Sequence, residues 1–258
     1  MNTKVVYTCL TGGYDGLLQH GYVAPGWDYI CFSNDIEAEK VGHWKIRRID
    51  YESDDKQLLS RFPKLQPHEV LPEYDVSLYV DANVALNDDT VFKRIDELIE
   101  DGTLLAGVKH QSRNCLYKES LFLILGGRAK NVGLTIRQMR NYKKEGFPRD
   151  FGMYEANIIF RQHNHPQIIQ QCNDWWHERL NFSHRDQLSY SYTLWKNHLP
   201  WKYLLPEQYS ARNYPGIYCP NHPGIDKHGW ERRKNIYPKF ILPLLHKMLF
   251  PIYYRFVL

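Results

Sequence analysis

The sequence predicts an α/β fold built on a mixed, mostly parallel sheet flanked by helices. Short β-rich apolar runs alternate with longer helical stretches through the first half of the chain. Each run stops in a group of turn formers, as at Thr11-Gly12-Gly13-Tyr14-Asp15-Gly16, Ser33-Asn34-Asp35 and Asp81-Ala82-Asn83. Strands separated by helices pair in parallel, because the crossover returns the chain to the same edge. Sites in such sheets gather at the carboxyl ends of the strands.

Lys4–Cys9, Trp27–Phe32 and Trp44–Ile49 read as the first three strands. Ser53–Gln66 reads as a helix, with Leu58, Leu59, Phe62 and Leu65 recurring at intervals of three and four. Val76–Val80 is a short buried strand. Asp88 or Asp89 then caps a helix that runs to Glu100, with Val91, Ile95, Leu98 and Ile99 on its inner face. Leu104–Val108 is a further strand. Asn114–Leu125 and Lys130–Glu145 read as helices split by Gly126-Gly127. Ala156–Phe160 reads as a strand, Pro166–Arg179 and Arg185–Asn197 as helices, and Trp201–Leu205 as a late strand.

Composition excludes several classes. Of 258 residues, 43% are hydrophobic and 24% charged, which is ordinary for a folded domain and excludes general disorder. A net charge of +4 is too small to imply a nucleic-acid partner. The five cysteines form no CxxC pair, which excludes a zinc ribbon or disulfide framework and fits a reducing, cytoplasmic setting. The first apolar stretch is too short for a signal peptide, and no apolar run is long enough to span a bilayer.

The sharpest chemical feature is Leu78-Tyr79-Val80-Asp81-Ala82-Asn83. Asp81 and Asn83, two apart at a strand end, can both reach one divalent cation, and hard oxygen ligands suit Mg²⁺ or Mn²⁺. The bland alternative is an ordinary turn, since Asp and Asn favour turns.

Seven short motifs follow one another in order: Thr11–Gly16 after the first strand; Asp28-Tyr29-Ile30-Cys31-Phe32-Ser33; Ser60-Arg61-Phe62-Pro63-Lys64 with Pro67-His68; Tyr79–Asn83; Arg113–Glu119; Tyr154–Arg161; and Phe182–Tyr190. Together they resemble the glycosyltransferase-like domain of plants and bacteria formerly catalogued as domain of unknown function 616. That domain is similar to GT-A glycosyltransferases of the family 8 kind. The resemblance spans about residues 4–195. It implies a GT-A fold, a nucleotide-sugar donor and a divalent metal. Asp-Ala-Asn departs from the Asp-x-Asp pattern and leaves one carboxylate.

The resemblance gives the other polar groups candidate roles. Thr8, Thr11, Gly12 and Gly13 would cradle base and ribose, and Asp35 would bond the base edge or serve as a turn acid. Arg61 and Lys64, three apart on one helical face, would neutralise a diphosphate or form a solvated basic face. Asp186 and Gln187 are similar to a sugar-side pair. Asp186 would be a base near the anomeric carbon or an acid favoured by the helix dipole, with Glu155 as second candidate base. His222 or His228 would ligate the metal and Lys227 would reach the diphosphate, unless Asn221–Trp230 is simply a surface loop. Trp175, Trp176, Trp195 and Trp201 are core or acceptor platform.

Residues 1–230 are thus expected to form one catalytic domain and 231–258 a basic, amphipathic tail. That tail either touches a membrane surface or packs on the domain. The expected activity is metal-assisted transfer from a nucleoside-diphosphate sugar to a glycan or lipid-linked glycan, in polysaccharide assembly at the inner face of the plasma membrane. Two other readings stand beside it: a non-catalytic glycan- or nucleotide-binding protein on a degenerate GT-A fold, and a nucleotidyltransferase. The latter would carry basic residues after the first strand, which Thr11–Gly16 lacks.

Overall fold

The computed structural model describes residues 3–13, 15–200, 202–220 and 241–258. A seven-stranded sheet forms its centre. In chain order the elements are β1 (Lys4–Cys9), β2 (Trp27–Phe32), β3 (Lys40–Val41), β4 (Trp44–Arg47), α1 (Lys56–Leu65), α2 (Pro67–Val70) and β5 (Val76–Val80). There follow β6 (Ala85–Leu86), α3 (Thr90–Glu100), β7 (Leu105–Lys109), α4 (Leu116–Leu125), α5 (Val132–Lys144) and β8 (Tyr154–Arg161). The last are α6 (Pro166–Asn181), α7 (Gln187–Lys196), β9 (Ile217–Tyr218) and α8 (Leu242–Ile252), which runs into a π turn over Tyr253–Val257.

The sheet order is β3-β4-β2-β1-β5-β8-β7. β1 pairs in parallel with both β2 and β5, and β2 with β4. β8 runs antiparallel to both β5 and β7. The chain leaves β1 for β2 on one side and reaches β5 on the other, so strand order reverses at β1. Ligands of open α/β sheets bind in the crevice outside such a reversal. The carboxyl ends of β1, β2 and β5 therefore share one edge. β8 brings its amino end, with Glu155, to that edge because it runs the opposite way.

The strands are buried because helices cover both faces. Every residue of β5 is buried, which explains an unbroken apolar run where a half-solvated strand would alternate. One core packs Val6, Leu78, Val80, Ile95 and Phe160; a second packs Tyr7, Leu59, Tyr79, Ile159 and Trp175. Asp55 starts α1, accepting from the Gln57 and Leu58 amides. Asp88, rather than Asp89, takes the free Thr90 amide ahead of α3.

Two differences from the sequence reading have simple causes. Residues 202–205 form no strand: Tyr203 makes one isolated bridge to Gly107, and Trp201 lies outside the described residues. β6 and β9 pair as a two-stranded ribbon too short to leave a periodic signal. The basic cluster at 231–234 also lies outside the described residues. The terminal helix packs on the domain, with Phe250 and Tyr253 buried in a third core against α4 and α5. Tyr253 shares a hydroxyl contact with Ser120, and His246 bonds the Lys118 carbonyl.

This packing predicts unequal costs along α8. Phe250→Ala should lower the unfolding free energy by about 3 kcal/mol. Leu244→Ala, at a position 59% exposed, should stay within about 0.5 kcal/mol of wild type. Urea denaturation of the whole chain measures both, and equal effects would contradict the docking described.

Candidate active site

The site grows from the ends of β1, β2 and β5. After β1, Thr11 donates its hydroxyl to the Lys56 carbonyl at 2.8 Å, which ties the loop to the start of α1. Gly12 and Gly13 follow with φ of +71° and +60°, a left-handed backbone that side chains disfavour. The Gly12 amide donates to the Asp35 carboxylate, joining the turns after β1 and β2. Thr8, fully buried at the end of β1, has a hydroxyl with no hydrogen-bond partner among the described residues. Thr8, Thr11, Gly12, Gly13 and Asp35, proposed together from sequence, thus lie along one edge.

The centre of the site is an ionic bridge. The Lys64 ammonium, 3% exposed, lies 2.7 Å from Asp186 and 3.7 Å from Asp81. Arg61 places its Nε 3.3 Å from the same Asp186 oxygen. Tyr79 donates its hydroxyl to Asp81 at 2.7 Å. Arg61 and Lys64 share one face of α1, as their spacing predicts, and that face meets the start of α7. Asp186 makes no side-chain bond to the free amides of α7. Its carboxylate turns toward the two cations instead of capping the helix. Burial opposes its ionisation, but Arg61 and Lys64 outweigh burial and hold the carboxyl well below the ordinary range.

Glu155 lies on β8, where the Asn157 carbonyl accepts from the Asp81 amide at 2.9 Å. It accepts from the Asn157 side chain and the Ala211 amide, each at 3.3 Å. Burial pushes its carboxyl above the ordinary range, making it the more basic of the two candidate acids. Both Asp81 and Glu155 act on the Cys219 thiol, which burial chiefly pushes up. Gln187 donates its side-chain amide to the Tyr154 carbonyl at 3.3 Å, linking α7 to β8.

The metal motif is asymmetric. Asp81 keeps a side chain 32% exposed. Asn83 is buried, and its amide nitrogen donates to the Pro220 carbonyl at 3.2 Å. Its Oδ1 is then the oxygen left to ligate. Among the described residues no three His, Cys, Asp or Glu side chains gather as metal ligands, and Lys64 stands between Asp81 and Asp186. This donor set fits a hard cation that takes most of its ligands from phosphate and water, as Mg²⁺ often does. It does not form a closed cage. His222, Lys227 and His228 lie outside the described residues.

Sequence reasoning missed the arginines around this bridge. Arg179, at the end of α6, is 6% exposed, and among the described residues its Nε and Nη2 have no hydrogen-bond partner; Asp55 lies 3.7 Å from it. Arg185 Nε is likewise buried and unpartnered. Arg113 pairs with buried Glu119 at 2.5 Å. The charges of Arg128 and Arg185 also act on Glu119. Around Asp186, six cations (Arg61, Lys64, Arg113, Arg128, Arg179, Arg185) share four carboxylates (Asp55, Asp81, Glu119, Asp186). Within that cluster alone, cations outnumber carboxylates. Of the four tryptophans, Trp175 is fully buried core, and Trp176 sits edge-on to Tyr51 and Phe62. Trp195 is partly buried against the third core.

A family model described as TOD1/MUCI70, glycosyltransferase-like domain, matches residues 31–213. No curated protein matches at a significant level. Core-mannan synthase A from Aspergillus fumigatus, solved in a Mn/GDP form, is 10% identical, with TM-score 0.48 over 94% of this chain and 82% of that one. Mouse xyloside xylosyltransferase 1 is 8% identical, with TM-score 0.45 over 77% and 83% of the two chains. The galactosyltransferase LgtC, solved with donor and acceptor sugar analogues, is 12% identical, with TM-score 0.43 over 78% and 72%.

The ionic bridge makes a prediction about pH. The folded Asp186 carboxyl titrates below its unfolded value of about 3.9. Its stabilising effect is therefore full above that value and is lost as pH falls beneath it. Asp186→Asn removes the carboxylate that Arg61 and Lys64 share, leaving Lys64 with Asp81 alone, and should cost about 3 kcal/mol at neutral pH. Calorimetric unfolding from neutral to acid pH should show that difference narrowing below about pH 4. A difference independent of pH would contradict the bridge.

Proposed function

The chain belongs to the TOD1/MUCI70 glycosyltransferase-like domain family, and from that premise we propose a specific reaction. The protein transfers a sugar from a nucleoside-diphosphate donor to a hydroxyl of a glycan acceptor. The observation that carries this reading is the Asp81–Lys64–Asp186 bridge at the carboxyl end of β5, set beside the Gly12/Asp35 turns.

In this reading the base and ribose lie on Thr8, Thr11, Gly12, Gly13 and Asp35. The bond between the Gly12 amide and Asp35 sets the shape of that cradle. Asp81 and the Asn83 Oδ1 would hold Mn²⁺ or Mg²⁺ together with donor phosphates. The ion, when bound, supplies Lewis-acid charge to the leaving diphosphate. Arg61 and Lys64 supply positive charge beside it, and Arg179 Nε and Nη2 and Arg185 Nε supply N–H donors that are unpaired among the described residues. Asp186, held ionised, lies where it can stabilise positive charge developing at the anomeric carbon. As a proton acceptor it is weak, because two cations already neutralise it. Glu155, pushed toward higher pKa by burial, is better matched to accept the acceptor's hydroxyl proton. Gln187 orients the start of α7. His222 or His228 and Lys227 keep the metal and diphosphate roles read from sequence.

We further propose that the acceptor is a surface polysaccharide or lipid-linked precursor met on the cytoplasmic side. All five cysteines are free, four of them buried, which supports a reducing compartment.

Calorimetric titration with a panel of nucleoside diphosphates, with and without Mn²⁺, tests the reading. At least one nucleotide should bind more tightly with Mn²⁺, and Asp81→Ala should erase that gain. No nucleotide binding under either condition would refute the transferase assignment. With a competent donor, Glu155→Gln should lower kcat by about 10²-fold or more while leaving nucleotide affinity intact.

A further inference from the structure

The terminal helix carries a face that the transferase site does not use. Its inner side is accounted for by Phe250 and Tyr253 in the third core. Its outer side exposes Leu244, Met248, Ile252 and Phe256 at 59%, 63%, 54% and 72%. These fall four residues apart, so they form one stripe along the helix and π turn. Single exposed apolar residues are ordinary; a stripe of four large ones on one element is not.

Beside the stripe is a cavity of about 410 Å³ lined by Lys143, Arg149, Phe250, Pro251, Tyr254 and Arg255. Lys143 donates to the Tyr254 carbonyl at 2.6 Å and lies 4.4 Å over its ring. Arg149 sits over Phe250 and Tyr254 at 5.8 and 5.5 Å. The aromatic rings thus hold these cationic heads around the cavity. The charge continues outward. Lys118 lies over Phe250, Arg140 bonds the Val257 carbonyl, and Lys247 and Arg255 stand on the helix itself. The described acid among them is Asp150, 3.4 Å from Lys118 and 3.7 Å from Arg149.

We propose that this face docks on an anionic lipid bilayer, with the stripe entering the interface and the Lys143–Arg149–Arg255 cavity taking a headgroup phosphate. Three properties select that occupant. Apolar side chains flanked by Lys and Arg suit a surface that is apolar within and anionic outside. A second copy of the chain would bring two like-charged rims together, which opposes self-association. A soluble anion would use the cavity and leave the stripe without a role. Among the described residues no helix is long and apolar enough to cross a membrane, so the contact lies along the surface. It would hold the catalytic edge near a lipid-linked acceptor, yet it does not depend on the transferase reading.

Co-sedimentation of the full chain with vesicles tests the proposal. Binding to mixed phosphatidylcholine–phosphatidylglycerol vesicles should exceed binding to pure phosphatidylcholine by about tenfold or more, and should fall with added salt. Met248→Ser with Ile252→Ser should abolish it. Arg149→Gln with Arg255→Gln should weaken it by about tenfold or more. The altered side chains are exposed, and circular dichroism checks that each variant keeps its fold. Inorganic phosphate at matched ionic strength should not release the protein. Absence of binding, equal binding to neutral vesicles, or release by phosphate would overturn the proposal. So would a dimer, seen by sedimentation equilibrium, that Met248→Ser with Ile252→Ser dissolves.

Discussion

The buried ammonium of Lys64 is the point on which the rest of the site depends. It contacts acids from two distant segments, Asp81 after β5 and Asp186 before α7. Taking a charge this far from water is costly, and the two acids offset that cost. The two acids in turn need the cation, since neither is fully solvated. The helix bearing Lys64 is anchored independently. Arg161, fully buried on β8, donates to the Lys64 carbonyl at 2.8 Å and to the Tyr7 hydroxyl. One arginine thereby joins the end of α1 to β1 and β8, and the ammonium is aimed by the sheet.

This arrangement changes the role that each charge can play. Arg61 and Lys64 were expected to meet a diphosphate as free cations, but both already neutralise Asp186. Their positive charge is shared, and a bound diphosphate would compete with Asp186 for it. Among the described residues, Arg179 Nε and Nη2 and Arg185 Nε are buried N–H groups without a hydrogen-bond acceptor, as is Arg61 Nε. Buried donors without an acceptor cost free energy. An incoming anion recovers that cost, so the same groups that weaken the free protein favour phosphate binding.

Much of this was legible in the sequence, and the remainder was hidden for physical reasons. The strand Val76–Val80 and the turn Asp81–Asn83 were readable because a strand buried on both faces leaves a continuous apolar run. The shared face of Arg61 and Lys64 followed from helical spacing. Their partner did not, because Asp186 is far away in the chain and only the tertiary fold joins them. Arg179 and Arg185 look like solvated charges by type. The available signal was their position beside Trp175-Trp176 and Phe182, where an apolar neighbourhood makes a solvated arginine unexpected. The roles expected of Asn83 and Asp186 rested on residue type, and the structure shows what each is bonded to: a carbonyl for Asn83 and two cations for Asp186.

The aromatic residues, 14% of the chain, are where core and site meet. Trp175 is fully buried and stacks on Tyr190 with ring centroids 4.2 Å apart. Its indole N–H donates to the Asp186 backbone carbonyl at 2.8 Å. An aliphatic core residue of similar size could fill that space but could not make this bond. The backbone of Asp186 is thus fixed from the core side by α6, while its carboxylate is fixed from the site side by α1. Two independent constraints on one residue hold it rigidly, which suits the electrostatic role proposed for it, because dipoles that must reorient during reaction lose their advantage. The aromatic excess therefore serves this site from beneath, where it supports a carboxylate; an exposed sugar platform would need Trp175 at the surface, and it has no exposed area there.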